Sequence, residues 1–137
     1  MTLPPGNPSW CARYATNIPA IDAHHQGLFK ILKMLQEAEY EGRVDAEVGV
    51  ILEHLEKHSL SHFEVEEALM GRTEFPEKGA HTEDHRRFVG QLQRLKARFD
   101  RGDAGVTAEV IAMLYGWLHD HILLQDMVFA EHVRTQS

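Results

Sequence analysis

Apolar residues recur at helical spacing in four segments of this chain. The first segment starts near Pro19, which suits the first turn of a helix, and ends at about Gly42. The other three place apolar residues at steps of alternately four and three, the inward seam of a bundle helix, and cover about 44–70, 81–101 and 107–133. This pattern predicts an all-α fold, an up-down-up-down antiparallel four-helix bundle at residues 18–134.

The ends of the helices are less clearly marked than their apolar faces. Residues 1–17 contain several prolines and are expected to form an extended N-terminal arm, which Trp10 and Tyr14 would pin to the bundle. Thr107 is the expected N-cap of the fourth helix. The seam of that helix is predicted to continue inward through Leu124 and Val128.

Composition excludes several classes of protein. A chain of 137 residues with 43% hydrophobic and 26% charged residues fits one soluble domain. The net charge is −7 and the basic residues are scattered, which disfavours nucleic acid as a partner, and no apolar run is long enough to span a membrane. The single cysteine, Cys11, excludes an intrachain disulfide framework. We expect a cytoplasmic monomer.

Polar residues interrupt the apolar seams at positions that should be buried. His62 and Glu66 lie four apart in the second segment, and His81 and His85 lie four apart in the third, so each pair projects from one helix face. The fourth seam carries His121, and the first helix carries His25. Unpaired buried ionisable groups cost several kcal/mol, about the scale of a domain's whole stability, so these groups need partners. Imidazoles and carboxylates are metal ligands, and the four helices together predict a metal site.

The chain has ten histidines, so a histidine pair spaced by four residues could arise by chance. One pair spaced by four would carry little information, whereas three polar seams together favour a metal site. His54 and His58 also step by four towards His62, but each step of four drifts about 40° around a helix, so they should flank the site or be exposed. His24 and His132 are expected at the surface.

Asp126 poses a geometric problem. It lies five residues after His121, about 140° around an ideal helix, whereas His119, seven residues back, lies on the same face. Geometry alone therefore pairs Asp126 with His119, and the apolar seam favours His121 as the inward residue. A wide helical turn near 121–126 would allow His121 and Asp126 to face one centre.

Four motifs make the chain similar to a known family. They read Ile-Asp-Ala-His-His-Gln-Gly-Leu-Phe at 21–29, His-Phe-Glu-Val-Glu-Glu-Ala-Leu-Met at 62–70, His-Thr-Glu-Asp-His-Arg-Arg-Phe at 81–88 and Trp-Leu-His-Asp-His-Ile-Leu-Leu-Gln-Asp at 117–126. In this order and spacing they resemble the hemerythrins, in particular the bacterial single-domain form, from Trp10 to about Glu131. The chain departs from the family at His24, where glutamine is common; helical phase and the motif both favour His25 as the ligand.

The resemblance implies a non-haem centre of two iron ions with a bridging oxo or hydroxo oxygen, which binds dioxygen reversibly. The protein would then be an oxygen carrier, store or sensor. The implied ligands of one iron are His81, His85 and His121. Those of the other, which keeps an open position, are His25 and His62. The implied bridging carboxylates are Glu66 and Asp126.

The positions that line the oxygen pocket in the family correspond here to four apolar residues, which plain core packing would also bury: Leu28, Phe63, Leu118 and Ile122. Three carboxylates, Glu67, Asp84 and Asp22, lie near enough in sequence to hold ligand imidazoles, although charged helix residues usually form a solvated face. Two other functions compete with oxygen binding: a di-iron enzyme that reduces peroxide or nitric oxide, and a bundle with a purely structural role.

Overall fold

The computed structural model describes residues 14–42 and 45–136. Four long helical rods account for most of them, and this part of the chain contains no strand. The first three rods are α1 (Pro19–Glu41), α2 (Asp45–Arg72) and α3 (Lys78–Asp100). The fourth is continuous but has three sections, namely α4 (Val106–Asp120), a π-helical turn (His121–Asp126) and α5 (Met127–Thr135).

The helices pack as a ring of neighbours. Helix α1 contacts α2 and α4, and α3 contacts the same two helices from the other side. The connections span only residues 42–44, 73–77 and 101–105, so consecutive helices must run antiparallel. The predicted all-α four-helix bundle is confirmed. None of the described helices combines the length and the apolar character that crossing a bilayer requires.

Local chemistry sets where the helices begin and end. Pro19 stands in the first turn of α1, and the Asp22 carboxylate accepts hydrogen bonds from the backbone N–H of Thr16 at 2.8 Å and from its hydroxyl at 2.7 Å. Gly42, with φ +64°, ends α1 in the left-handed conformation that glycine adopts without strain. The Thr107 cap prediction was wrong: Gly105, with φ +78°, is the N-cap of α4, and Thr107 lies inside the helix.

The predicted arm can be followed only from its last residues. The Tyr14 ring is buried and lies 5.0 Å from the Phe29 ring, measured between centroids, so Tyr14 does fasten this segment to α1. Trp10 and Cys11 lie outside the described residues, as does the arm up to residue 13.

The core has an apolar cluster on each side of a polar layer. The larger cluster includes Leu28, Leu55, Phe88 and Leu118, and the smaller one consists of Ile21, Met70, Phe75 and Phe129. Three of the predicted ligands lie along the chain between a residue of one cluster and a residue of the other: His25 between Ile21 and Leu28, Glu66 between Phe63 and Met70, and Asp126 between Ile122 and Phe129. The polar layer is therefore enclosed by apolar packing at both ends.

The π-helical turn changes which residues of the fourth rod face inward. Leu124 and Val128 are 66% and 49% exposed, so their predicted place on the seam was wrong. Asp126, Phe129 and Ala130 are buried instead. The Met127 N–H bonds to the Ile122 carbonyl, five residues back, and this wider turn shifts the phase of everything after it. The predicted wide turn near 121–126 is confirmed.

We predict that deleting Leu124 removes the π turn and keeps the fold. The deletion brings His121 and Asp126 to a spacing of four, which an ordinary α-helix places on one face. The free energy of unfolding, measured in urea, should fall by no more than about 1 kcal/mol, because Leu124 is exposed.

The matched control inserts one alanine after Leu124. The insertion rotates the helix after residue 124 by about 100° and moves Phe129 out of the core. The free energy of unfolding should then fall by about 3–5 kcal/mol, as it does when a buried phenyl ring is removed. Equal losses in the deletion and the insertion would contradict this interpretation of the turn.

Candidate metal centre

The polar layer brings together all seven predicted ligands. They form two groups that could each hold a cation, and within each group one ligand atom per residue lies within 4.8 Å of the others. One group is Glu66, His81, His85 and His121, and the other is His25, His62, Glu66 and Asp126. Every one of these side chains is buried.

The two carboxylates lie between the groups. Glu66 turns Oε1 towards His81 at 2.6 Å and His85 at 3.3 Å, and it turns Oε2 towards His62 at 3.3 Å. The Asp126 carboxylate is arranged in a similar way. Its Oδ1 lies 3.0 Å from the Nε2 atoms of His81 and His121, and its Oδ2 lies 2.9 Å from His25 Nε2. Each carboxylate therefore presents one oxygen to each half of the layer.

Most of these inward atoms form no hydrogen bond with any described residue. They are the Nε2 atoms of His25, His62, His85 and His121, together with Glu66 Oε2 and both Asp126 oxygens. Buried polar atoms are almost always satisfied, and leaving one unpaired costs about 1–3 kcal/mol. Several unpaired atoms that face one centre fit cations as their missing partners, and the mixture of imidazole nitrogen and carboxylate oxygen suits iron among other transition metals.

The charges in the layer favour cation binding. Burial raises the pKa of the Glu66 carboxyl, but its close contacts with the imidazoles of His121, His62 and His81 outweigh burial and bring that pKa well below its usual value. Burial and the Glu66 charge also oppose ionisation of Asp126, but the charge and close contact of His121 outweigh them, so the pKa of Asp126 is low too. Both carboxylates are anionic, and buried anions need compensating charge.

The imidazoles respond to the carboxylates unequally. Burial lowers the pKa of His62, and its contact with Glu66 does not restore it. Burial opposes the protonation of His81 and His121 as well, but their contacts with Asp126 and Glu66 raise both pKa values. The raised pKa values favour protons on these two rings when no metal is bound, and a bound cation would replace those protons.

Two carboxylates outside the layer hold the rings of one group. His85 Nδ1 lies 2.8 Å from Glu67, and His121 Nδ1 lies 2.6 Å from Asp84. These contacts fix the ring orientation and leave Nε2 of each histidine facing the centre. Asp22 does not contribute to this shell, because its carboxylate bonds to Thr16 at the start of α1.

Aromatic and aliphatic side chains complete the enclosure. The Phe63 ring stacks on His85 with centroids 4.0 Å apart, and Trp117 stacks on His121 at 4.2 Å. The other residues predicted to line an oxygen pocket, Leu28, Leu118 and Ile122, are fully buried in the larger apolar cluster. Their burial agrees with both a pocket and plain core packing.

The histidines outside the two groups have different surroundings. On α2, His54 is exposed and His58 is half-buried, in line with the predicted drift around that helix, and His119 on α4 is exposed. The surface prediction for His24 and His132 was wrong. His24 is half-buried with its Nδ1 3.0 Å from Nδ1 of the predicted ligand His62, and His132 Nε2 donates to the Thr73 carbonyl at 2.6 Å. Helical phase alone cannot show contacts that depend on a neighbouring helix.

The fold and this site define a helical bundle that encloses a histidine-rich and carboxylate-rich cation site. Comparison with known proteins agrees: the Hemerythrin HHE cation binding domain matches residues 16–133. The chain belongs to the hemerythrin family.

Individual relatives cover most of the chain. A bacteriohemerythrin of Pseudomonas paraeruginosa (strain DSM 24068 / PA7) is 30% identical over 125 residues, which are 91% of this chain and 80% of the relative. A bacteriohemerythrin of Methylococcus capsulatus is 27% identical over 86% of this chain and 89% of its own length. A myohemerythrin of Riftia pachyptila is 31% identical over 82% of both chains. The resemblance read from the motifs is confirmed.

We predict that His62→Ala weakens metal binding by at least about 100-fold, beyond the range that loss of an outer partner of a ligand causes. His54→Ala is the matched control, because His54 lies on the same helix and is exposed. Bound iron is measured after anaerobic loading and dialysis against a ferrous chelator. Retention of iron by His62→Ala at the level of the control would exclude His62 as a ligand.

Proposed function

We propose that this member of the hemerythrin family is a non-haem di-iron protein that binds dioxygen reversibly in the bundle core and serves as an oxygen carrier, store or sensor. The observation that carries this proposal is the pair of ligand groups that share Glu66. A site for a single cation would need neither the second group nor carboxylates that present one oxygen to each half.

We assign the ligands by the group in which each side chain lies. His81, His85 and His121 would hold one iron, and His25 and His62 would hold the other. Glu66 and Asp126 would bridge the two irons, as supported by carboxylate oxygens 2.6–3.3 Å from imidazoles of both halves. The half with His25 and His62 has one imidazole fewer, and its iron would therefore keep a coordination position for a small ligand.

When bound, the two ferrous ions would supply the open coordination position and the electrons that reversible dioxygen binding needs. The protein's own part is to exclude water and to hold the ligands still. Imidazole-rich coordination donates less charge than a carboxylate-rich set and should favour the reduced state needed for another cycle. The buried side chains of Leu28, Phe63, Leu118 and Ile122 form the apolar surroundings that limit entry of water and protons.

The decisive experiment is metal analysis joined to visible spectra of the reduced protein with and without oxygen. We expect bound iron and a coloured adduct that forms with oxygen, disappears when oxygen is removed, and returns over many cycles. His54→Ala should behave as the unaltered protein does, whereas His62→Ala should not form the adduct. Absence of iron, or a bundle equally stable with and without it, would overturn the proposal.

The same spectra separate oxygen binding from the enzymatic alternative. A di-iron enzyme that reduces peroxide or nitric oxide would consume its substrate with steady turnover and would not return a stable adduct after oxygen is removed. Rapid irreversible autoxidation together with peroxide turnover would favour that alternative.

The apolar surroundings can be tested with two leucines on α4. Leu118→Ala and Leu114→Ala each remove a fully buried side chain, so each should cost about 2–5 kcal/mol of stability in urea unfolding. Only Leu118 lies three residues from the ligand His121, and we expect only its variant to shorten the lifetime of the oxygen adduct, because water enters beside the iron. Equal lifetimes in the two variants would show that Leu118 serves the core alone.

A further inference from the structure

One predicted ligand is held by another histidine and not by a carboxylate. His62 Nδ1 lies 3.0 Å from Nδ1 of His24, which stands next to the ligand His25 on α1. His62 is fully buried, and His24 is half-buried between α1 and α2. The rings cross almost at right angles, with an interplanar angle of 80°, so the facing nitrogens meet edge to edge.

The chemistry of the two rings sets the direction of this hydrogen bond. Two Nδ1 atoms at this distance need one donor and one acceptor, and a neutral imidazole carries its proton on only one nitrogen. His62 turns Nε2 towards Glu66 and the centre of the layer. A metal needs the free electron pair of that Nε2, so the proton of His62 must be on Nδ1 and must be donated to His24.

We propose that His24 is a positioning residue for His62: its Nδ1 accepts the Nδ1–H of His62, fixes the tautomer of that ring and presents Nε2 to the metal. The proposal rests on the proposed function, because it takes His62 as an iron ligand. His24 belongs to neither of the two ligand groups, so its role is to position His62. It does for His62 what Glu67 and Asp84 do for His85 and His121.

A second contact between the same helices holds His24 in place. His58 Nε2 donates to the backbone carbonyl of His24 at 2.9 Å, one turn before His62 on α2. Gly27 makes room for this contact, because a Cβ at that position would lie 2.6 Å from the His58 ring. The backbone of His24 and its side chain are therefore each tied to α2, and the acceptor nitrogen has a defined position.

Two variants of equal size separate positioning from packing. In His24→Asn, the amide oxygen is two bonds from Cβ, as Nδ1 is in histidine, so it can accept the same hydrogen bond. His24→Leu has the same branched shape without an acceptor. We expect release of ferrous iron to a chelator to be about 10–100-fold faster from His24→Leu than from the unaltered protein, and to return to nearly the original rate in His24→Asn.

A spectroscopic measurement on the unaltered sequence does not depend on any variant folding. With diamagnetic zinc in the site and ¹⁵N-labelled histidine, NMR should show the proton on Nδ1 of His62, with a coupling across the hydrogen bond to Nδ1 of His24. A proton found on His24 Nδ1 overturns the proposal, and so does iron release from His24→Leu at the original rate. If the unaltered protein holds no iron, the proposed function fails first, which is a distinguishable result.

Discussion

The constraint on which this structure depends is the burial of two anionic carboxylates among five imidazoles in the middle of a small bundle. Burial of unpaired charge costs far more than a domain of this size can offset, so the layer is stable only with compensating positive charge. Protons on His81 and His121 can supply it in part, as their raised pKa values indicate. Cations supply it more completely, since they also satisfy the atoms that no hydrogen bond reaches.

The same constraint explains the π-helical turn. A bundle helix needs its apolar residues on one face, but His121 and Asp126 are five residues apart and both must face the polar layer. An α-helix cannot do this, and the wider turn makes it possible where the rod passes the site. The helix then continues with a new phase, in which Phe129 closes the far end of the core. Local backbone geometry has been fitted to the site, while the packing on both sides stays regular.

Much of this could be predicted from the sequence, because the helices and most of the ligands follow from periodicity. His62, Glu66, His81, His85 and His121 stand on seams that only a buried, partnered group could occupy, and the structure places them there. Periodicity failed beyond residue 121, where the turn shifts the phase and exposes Leu124 and Val128.

Other errors had a different cause. The roles of His24 and His132 depend on contacts made across helices, which the spacing of residues along one helix does not contain. The signal available for His24 was its position beside a ligand where the family commonly carries another polar residue. It marked the residue as unusual without showing its partner.

The two halves of the layer differ in how their imidazoles are held: anionic acceptors make His85 and His121 stronger donors to a metal, whereas the ring that accepts from His62 is neutral. Under the proposed ligand assignment, the more strongly donating His85 and His121 would hold one iron, and the more weakly donating His62 would hold the iron that takes up the small ligand.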